Sequence, residues 1–179
     1  MASHGIIIPN AIAAQNIDSY VRSAYAAAVD FDNGNAVILT GLSTVAGQGE
    51  VWTAVAPSTG NGITGVWLAY EPELVWTGSY RGLDPDVRNF YNAAGKVFTV
   101  FKPQLGDIIT LSADAINGSK ASNTYLNCSN TGGKELDWAA TIGSAQFAAK
   151  LLGTTYISIG SGSIDSQRVV TYQFEVVAL

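Results

Sequence analysis

The sequence predicts a mainly β protein: a single antiparallel β-sandwich or barrel-like domain with an N-terminal arm and short helix. Two observations support this prediction. Short runs rich in Val, Ile, Thr, Tyr and Trp recur along the chain and are separated by Gly-rich turns. The 179 residues are 47% hydrophobic and only 13% charged, which argues against disorder and suits one domain with its own core.

The first 35 residues are expected to form an N-terminal segment apart from a β-rich body at 36–179. Near its start, Ile6, Ile7 and Ile8 form an apolar cluster followed by proline, a pattern that suits an extended arm or an edge strand. We expect residues 1 to about 16 to form an arm that docks on a partner chain and lies outside the core of the body. The alternative is that this stretch is the first strand of the protein's own sheet.

The rest of this segment shows helical periodicity. From Ile17 onward, apolar residues recur at spacings of three and four, which predicts a short helix from about Asp18 to Ala28. The turn signal DNGN at 32–35 is expected to end the helix before the body begins.

The body is predicted to consist of short strands. A Val-Trp dipeptide recurs in three neighbouring candidates, which we interpret as an antiparallel meander whose first two strands are joined by the turn 57–62. The stretch 146–153 fits a helix and a strand equally well, and 116–123 has the composition of a surface loop. The candidate strands are 36–42, 50–56, 63–70, 74–78, 96–102, 107–113, 135–141, 155–160 and 168–177.

Composition and charge exclude several function classes. The formal net charge of −5 argues against nucleic-acid binding by counterion release. A single cysteine, Cys128, rules out disulfides and multi-cysteine metal sites, and a single histidine, His4, makes a Ser–His–Asp triad improbable. No signal peptide or membrane-spanning apolar run is recognisable. We therefore expect no catalytic residues, cofactor, metal, nucleic acid or membrane partner.

Paired carboxylates are the first candidates for chemistry, because glycosidases need two of them within about 5 to 10 Å. Glu71 and Glu73 flank one proline, and Asp84 and Asp86 flank another. Acidic residues beside proline are also ordinary turn formers, and we favour that interpretation. The thiol of Cys128 has no partner base in sequence, and we expect it to be buried and inert.

The loop around the second carboxylate pair is a candidate interface. It gathers Arg81, Asp84, Arg88 and Tyr91 in an otherwise charge-poor chain. Arg and Tyr are enriched at the centres of interfaces. Pairing of the two arginines with Asp84 and Asp86 would fold the loop on itself or onto a neighbouring chain. We predict that this loop lies against another subunit.

Tryptophans in strand-like runs raise the question of sugar binding. Trp52, Trp67 and Trp76 each follow a valine inside a candidate strand. Exposed aromatic faces would suit pyranose rings, whereas aromatics in such runs usually pack between sheets. We favour a core or subunit-contact role for them.

Four stretches carry a resemblance to a known family and together cover most of the chain. The stretches are GIIIPNAIAAQNIDSYVRSA, DNGNAVILTGLSTVAGQGEVWTA, GLDPDVRNFYNAAGKVFTVFKPQLGDIITLSADAI and LLGTTYISIGSG…QRVVTYQFEVVAL. Through them the sequence resembles the head or capsid decoration (cement) proteins of tailed bacteriophages that infect Gram-positive bacteria.

This resemblance implies a non-enzymatic virion protein that is made in the host cytoplasm and binds the outer surface of an assembled capsid. Its expected partners are the major capsid protein and neighbouring copies of itself, which would allow a homo-oligomer on the shell. Two alternatives stay open: a carbohydrate-binding β-sandwich for host recognition, and a tail-tube or neck subunit.

Overall fold

The protein is mainly β, as the sequence predicted. The computed structural model describes residues 3–58, 65–72, 86–128, 133–142, 147–159 and 167–179. Of these residues, 50% lie in strands and 8% in helical turns. The strands are β1 Ile7–Ala11, β2 Val21–Tyr25, β3 Ala36–Leu42, β4 Trp52–Val55, β5 Trp67–Ala69, β6 Val97–Phe101, β7 Ile108–Ser112, β8 Ile116–Asn117, β9 Tyr125–Cys128, β10 Leu136–Ala139, β11 Ala148–Ile159 and β12 Gln167–Ala178.

The described helical segments are single 3-10 turns. They connect strands or lead into them, and each is three residues long. They are Ala13–Gln15, Asp18–Tyr20, Val87–Asn89 and Ala113–Ala115.

The strands form a seven-stranded sheet and a closed five-stranded barrel. The sheet has the order β1-β7-β12-β11-β9-β10-β8, and the barrel has the order β2-β4-β3-β5-β6. Neighbouring strands are antiparallel except for β2 with β4 and β8 with β10. The longest pairing is the hairpin of β11 and β12, whose strands have 12 residues each.

Two hydrophobic cores explain why several strands are apolar on both faces. On β3, Val37 faces the inside of the barrel, whereas Ala36 and Ile38 face the sheet. On β5, the same alternation places Trp67 inside the barrel and Leu68 against the sheet. The barrel therefore has its own interior, and its outer wall shares a second core with the sheet.

The predicted helix from Asp18 to Ala28 is wrong. Only Asp18–Tyr20 form a helical turn, and Val21–Tyr25 form β2, which pairs with β6 over all five residues. The residues Val-Arg-Ser-Ala-Tyr also fit an alternating pattern, with Ala24 buried inside the barrel. In the closed barrel, the main chain of β2 forms hydrogen bonds along both of its edges. The free energy gained from this pairing outweighs the local preference for a helix that the apolar spacing indicates.

The predicted meander is also wrong for its first two strands. β4 pairs with β2 and β3, and β5 pairs with β3 and β6, so β4 and β5 are not neighbours. The third Val-Trp dipeptide, at 75–76, lies outside the described residues. The ambiguous stretch 146–153 is a strand over its described part from residue 148. The short strands β8 and β9 were not predicted.

Candidate interface site

The N-terminal isoleucines belong to the protein's own fold. Ile6 and Ile7 are buried, Ile8 is half-buried, and Ile7 lies in the core between sheet and barrel. β1 pairs antiparallel with β7, with Ile7 opposite Leu111. The expectation that this segment is an arm outside the core is therefore wrong, and the alternative, a first strand of the protein's own sheet, is correct. The reason is that β7 offers both an open edge and an apolar face.

Hydrogen bonds hold this segment at both of its ends. The Ile6 main-chain N–H donates to Ser112 Oγ over 3.0 Å, and the Ser112 N–H donates to the Ile6 carbonyl over 2.9 Å. At the far end, the Ala13 N–H donates to the buried carboxylate of Asp107 over 2.9 Å. These contacts leave little of the segment free to dock elsewhere.

The candidate interface loop is described only from residue 86. Arg81 and Asp84 lie outside the described residues. Asp86 and Arg88 form a bidentate ion pair, with Nε to Oδ1 at 2.9 Å and Nη2 to Oδ2 at 2.7 Å. The predicted pairing within the loop is thus confirmed for these two residues. The side-chain hydrogen bond with Arg88 lowers the pKa of the Asp86 carboxyl, and the same bond raises the pKa of Arg88.

The structure brings the N-terminal segment and this loop together. The His4 N–H donates to the Arg88 carbonyl over 2.9 Å, and the His4 ring stacks on Tyr91 with centroids 4.8 Å apart. Tyr91 nevertheless stays 42% exposed. Arg88 also donates to the Gln167 side chain over 2.8 Å. Two segments singled out separately in the sequence therefore form one continuous surface region.

The DNGN turn at 32–35 contacts the N-terminal part of this region. His4 Nδ1 lies 2.9 Å from Asp32 Oδ1, and the Gly5 N–H donates to the other oxygen of Asp32 over 3.1 Å. Gly34 has φ +91° and a main-chain position at which a Cβ would lie 2.6 Å from Leu111. The turn was predicted, but its role in holding the N-terminus was not. Gly34 is required because the turn passes directly over the sheet.

A buried amide network extends from the same turn. The Asn33 side chain donates to the Glu71 carbonyl over 2.9 Å and accepts from the Glu71 N–H over 3.0 Å. Asn92 donates to the Phe31 carbonyl over 3.0 Å and to Asn33 over 3.2 Å. Sequence reasoning missed this network, because asparagines in turns carry no signal for burial.

One member of each carboxylate pair is described, and each of these two side chains makes a structural contact. Glu71 accepts from the Thr99 N–H over 2.8 Å, and Asp86 holds Arg88. Glu73 and Asp84 lie outside the described residues. Cys128 is buried, as expected, and burial raises the pKa of its thiol to about 12. Within the described ranges, no group of three or more His, Cys, Asp or Glu side chains could hold a metal ion.

The described tryptophans pack mainly against the protein itself. Trp67 is buried in the barrel, and Trp138 contacts Tyr172 and Phe174 with ring centroids 5.2 and 5.5 Å away. Trp52 is half-buried at one end of the barrel. Trp76 lies outside the described residues. These packing contacts agree with the interpretation of the tryptophans as core residues.

An apolar groove lies between the outer wall of the barrel and the β1 edge. Its volume is about 300 Å³, and Pro9, Ile12, Val21, Tyr70 and Phe101 contribute to its lining. Val21 remains 39% exposed there, although it lies on a strand of the closed barrel.

Exposed apolar side chains continue beyond the groove. Ile17 precedes β2 and is 42% exposed, and Val97 on β6 is 47% exposed. Val97 lies on the same face of β6 as Thr99, which lines the groove. No charged side chain lines the groove among the described residues. This surface was not singled out in the sequence, because its residues come from segments far apart in the chain, among them β1, β2 and β6.

In the parts of the chain that the structure describes, no helix is long and apolar enough to span a membrane. Comparisons with protein-family models, with curated proteins and with solved structures found no match to this chain.

Proposed function

We propose that this chain is a non-enzymatic structural protein of a phage virion that binds the outer surface of the assembled capsid and stabilises it. The resemblance of its sequence to capsid decoration proteins suggests the kind of partner. The major capsid protein and neighbouring copies of the chain are the proposed partners, and the capsid surface is the proposed location after synthesis in the host cytoplasm.

One structural observation carries the proposal: the apolar groove and its exposed flank at Ile17, Val21 and Val97. Exposed apolar surface around a groove is one feature of sites that another protein covers. Leaving this surface in water forgoes about 25 cal/mol for each Å² that could be buried. The low charge of the chain adds to the argument, because a weakly charged surface gives little protection against association.

The loop residues remain predicted contacts of the same kind. Tyr91 is exposed beside His4, and Arg88 presents a half-buried guanidinium at the same place. Arg81 and Asp84 are retained as predicted contacts from the sequence alone. The proposed attachment surface therefore includes the groove and, separately, the loop.

The test is a sedimentation assay with capsids prepared without this protein. The purified chain is expected to co-sediment at a saturating, fixed number of copies per capsid. Failure of the native chain to saturate such capsids would overturn the proposed function. A saturable change of tryptophan fluorescence with oligosaccharides, without capsid binding, would favour the sugar-binding alternative.

A pair of variants tests the groove itself. Val21→Glu places a charge in the groove at a partly exposed position and is expected to weaken attachment at least tenfold, or about 1.4 kcal/mol. Leu105→Glu is the matched control, because Leu105 is 66% exposed in a turn before β7 and does not line the groove. Equal attachment of the two variants, both shown to be folded by circular dichroism, would exclude the groove as the contact.

A further inference from the structure

One end of the barrel contains an arginine in contact with two tryptophans. At this end β2, β4 and β5 begin and β3 and β6 finish, as their pairing shows. Arg22 is on the same face of β2 as Ala24, which is buried inside the barrel. Its guanidinium carbon lies 4.1 Å from the ring centroid of Trp52 and 4.9 Å from that of Trp67.

Among the described residues, the guanidinium has no anionic partner. No ion pair or hydrogen bond joins the Arg22 side chain to another group in the described part of the chain. By contrast, Arg88 on the other surface forms a bidentate pair with Asp86. Arg22 is half-buried, so its charge is only partly solvated by water.

Contact with the two indoles leaves the N–H donors of the guanidinium available. A guanidinium carries five N–H donors in one plane, and stacking on aromatic rings uses the faces without using these donors. The planar arrangement of these donors matches a carboxylate, which can accept two parallel hydrogen bonds from the guanidinium. The two indoles also limit the motion of the side chain and so reduce the entropy lost on binding.

The surroundings strengthen such a contact. The two indoles and the partial burial of Arg22 exclude some of the water around the guanidinium. An ionic hydrogen bond is stronger where the local dielectric constant is low. Leu42 lies beside Trp52 in the strand register and is 54% exposed, which adds apolar surface to the rim. The site therefore combines one unpaired cation with apolar walls.

We propose that this end of the barrel binds a carboxylate side chain, Asp or Glu, presented by a segment of a partner protein. The choice of an acidic partner rests on charge complementarity with Arg22. The site is separate from the apolar groove, and it does not depend on the partner being a capsid. If this end of the barrel does not bind such a side chain, the proposed function is unaffected.

The test follows the Nε–Hε signals of arginine side chains by NMR in the ¹⁵N-labelled full chain. The chain has four arginines, so the Arg22 signal can be assigned from its loss in Arg22→Lys. Contact with the faces of the two indoles is expected to shift this signal upfield. The probes are the blocked peptide acetyl-Gly-Glu-Gly-amide and its Gln counterpart, with sodium acetate as the free carboxylate.

The Glu peptide is expected to shift the Arg22 signal saturably, with a dissociation constant at least tenfold lower than that of the Gln peptide. Acetate is expected to shift the same signal more weakly. Arg22→Lys should abolish saturable binding followed by the Trp fluorescence, because lysine lacks the planar fork. Arg168→Lys is the matched control: Arg168 stacks on Tyr156 at 3.8 Å on an exposed hairpin, and its replacement should leave binding unchanged.

Several outcomes would overturn the proposal. These are an equal response to the Gln peptide, no saturable shift at all, or a uniform shift of all arginine signals. Tighter binding of inorganic phosphate or of a neutral oligosaccharide than of the Glu peptide would assign the site to another ligand class. Because the peptide comparison uses the native chain, it decides the question even where a variant fails to fold.

Discussion

Single side chains connect distant parts of this fold through buried hydrogen bonds. Asn33 illustrates this, since its amide pairs with both main-chain groups of Glu71 and accepts from Asn92. Its exposed fraction is 0%. A buried polar group left unpaired costs about 1–3 kcal/mol, whereas an average hydrogen bond contributes about 0.5–1.5 kcal/mol. The Asn33 amide in the DNGN turn is therefore expected to contribute to the stability of the fold.

Asn33→Ala is expected to lower the free energy of unfolding by about 1–3 kcal/mol for each Glu71 main-chain group that loses its partner. Urea denaturation followed by circular dichroism measures the change. Asn123→Ala is the control, because the Asn123 amide bonds only the nearby Ser119 carbonyl at an exposed turn, and we expect a change within about 0.5 kcal/mol. Equal stability of the two variants would mean that the network contributes nothing.

The ion pair of Asp86 and Arg88 predicts a pH dependence. Because Arg88 lowers the pKa of Asp86 below its ordinary value of 3.8 in the folded state, the pair stabilises the fold fully above that value. This contribution is lost as the pH falls through and below about 4, when the carboxylate is protonated. Asp86→Asn should therefore be less stable than the native chain at neutral pH, and the difference should shrink in acid.

Urea denaturation at a series of pH values measures this difference. Arg88→Met removes the partner and should reduce the same pH-dependent contribution, so the two variants are expected to have similar pH profiles. A constant difference between Asp86→Asn and the native chain across the acid range would contradict the prediction.

At the scale of elements, strands pair where another element offers an open edge and an apolar face. β1 follows this rule on the edge of β7, and Pro9 lies in this edge strand, where a missing N–H is tolerated. Among the described residues, β11 pairs with β9 only over residues 148–150, so the outer part of β11 is also an edge of the described sheet. A register shift between Leu151 and Gly153 interrupts the hairpin there. Such irregularity limits edge-to-edge association.

The position of β1 in the core predicts the effect of changing it. Ile7→Ala is expected to lower the free energy of unfolding by about 2–5 kcal/mol, because Ile7 is only 2% exposed and its loss leaves a cavity. Ile17→Ala is the matched control at an exposed site, with a change within about 0.5 kcal/mol. Thermal or urea denaturation measures both.

Deletion of residues 2–16 extends this test from one side chain to the element. The truncated chain is expected to unfold or aggregate, because the edge of β7 and the adjoining core would be opened. A truncated chain that keeps the native melting temperature would show that β1 is dispensable for the fold.

At the scale of the whole molecule, the barrel and the sheet share one core. Ile38, Leu68 and Phe101 on the outer wall of the barrel belong to the same buried cluster as Leu111 and Phe174 of the sheet. Neither layer can separate without exposing that cluster. The two layers are therefore expected to be one cooperative unit.

Cooperativity can be measured with two probes. Tryptophan fluorescence, which includes Trp52 and Trp67 of the barrel, and far-UV circular dichroism, which includes the long β11–β12 hairpin, are expected to give coincident urea transitions. Leu68→Ala should destabilise both transitions together by about 2–5 kcal/mol. Two separate transitions in the native chain would show that barrel and sheet unfold independently.

The sequence by itself determined the fold class, the position of most strands, the DNGN turn, the buried thiol of Cys128 and the pairing of Arg88 with Asp86. These features depend on local patterns: β-branched runs, turn residues, and opposite charges two positions apart. The predicted bounds of the strand AVILTGL agree with those of Ala36–Leu42 at both ends, because turn-forming residues precede and follow it.

Only the tertiary structure decided the features that depend on which elements meet. It made Val21–Tyr25 a strand instead of a helix, placed β1 in the core, and separated β4 from β5. It also placed Arg22 against two indoles and assembled the apolar groove from β1, β2, β6 and the segments that follow β1 and β5. The physical reason is that edge pairing and burial are gained between segments far apart in the chain, where local periodicity carries no information about the partner.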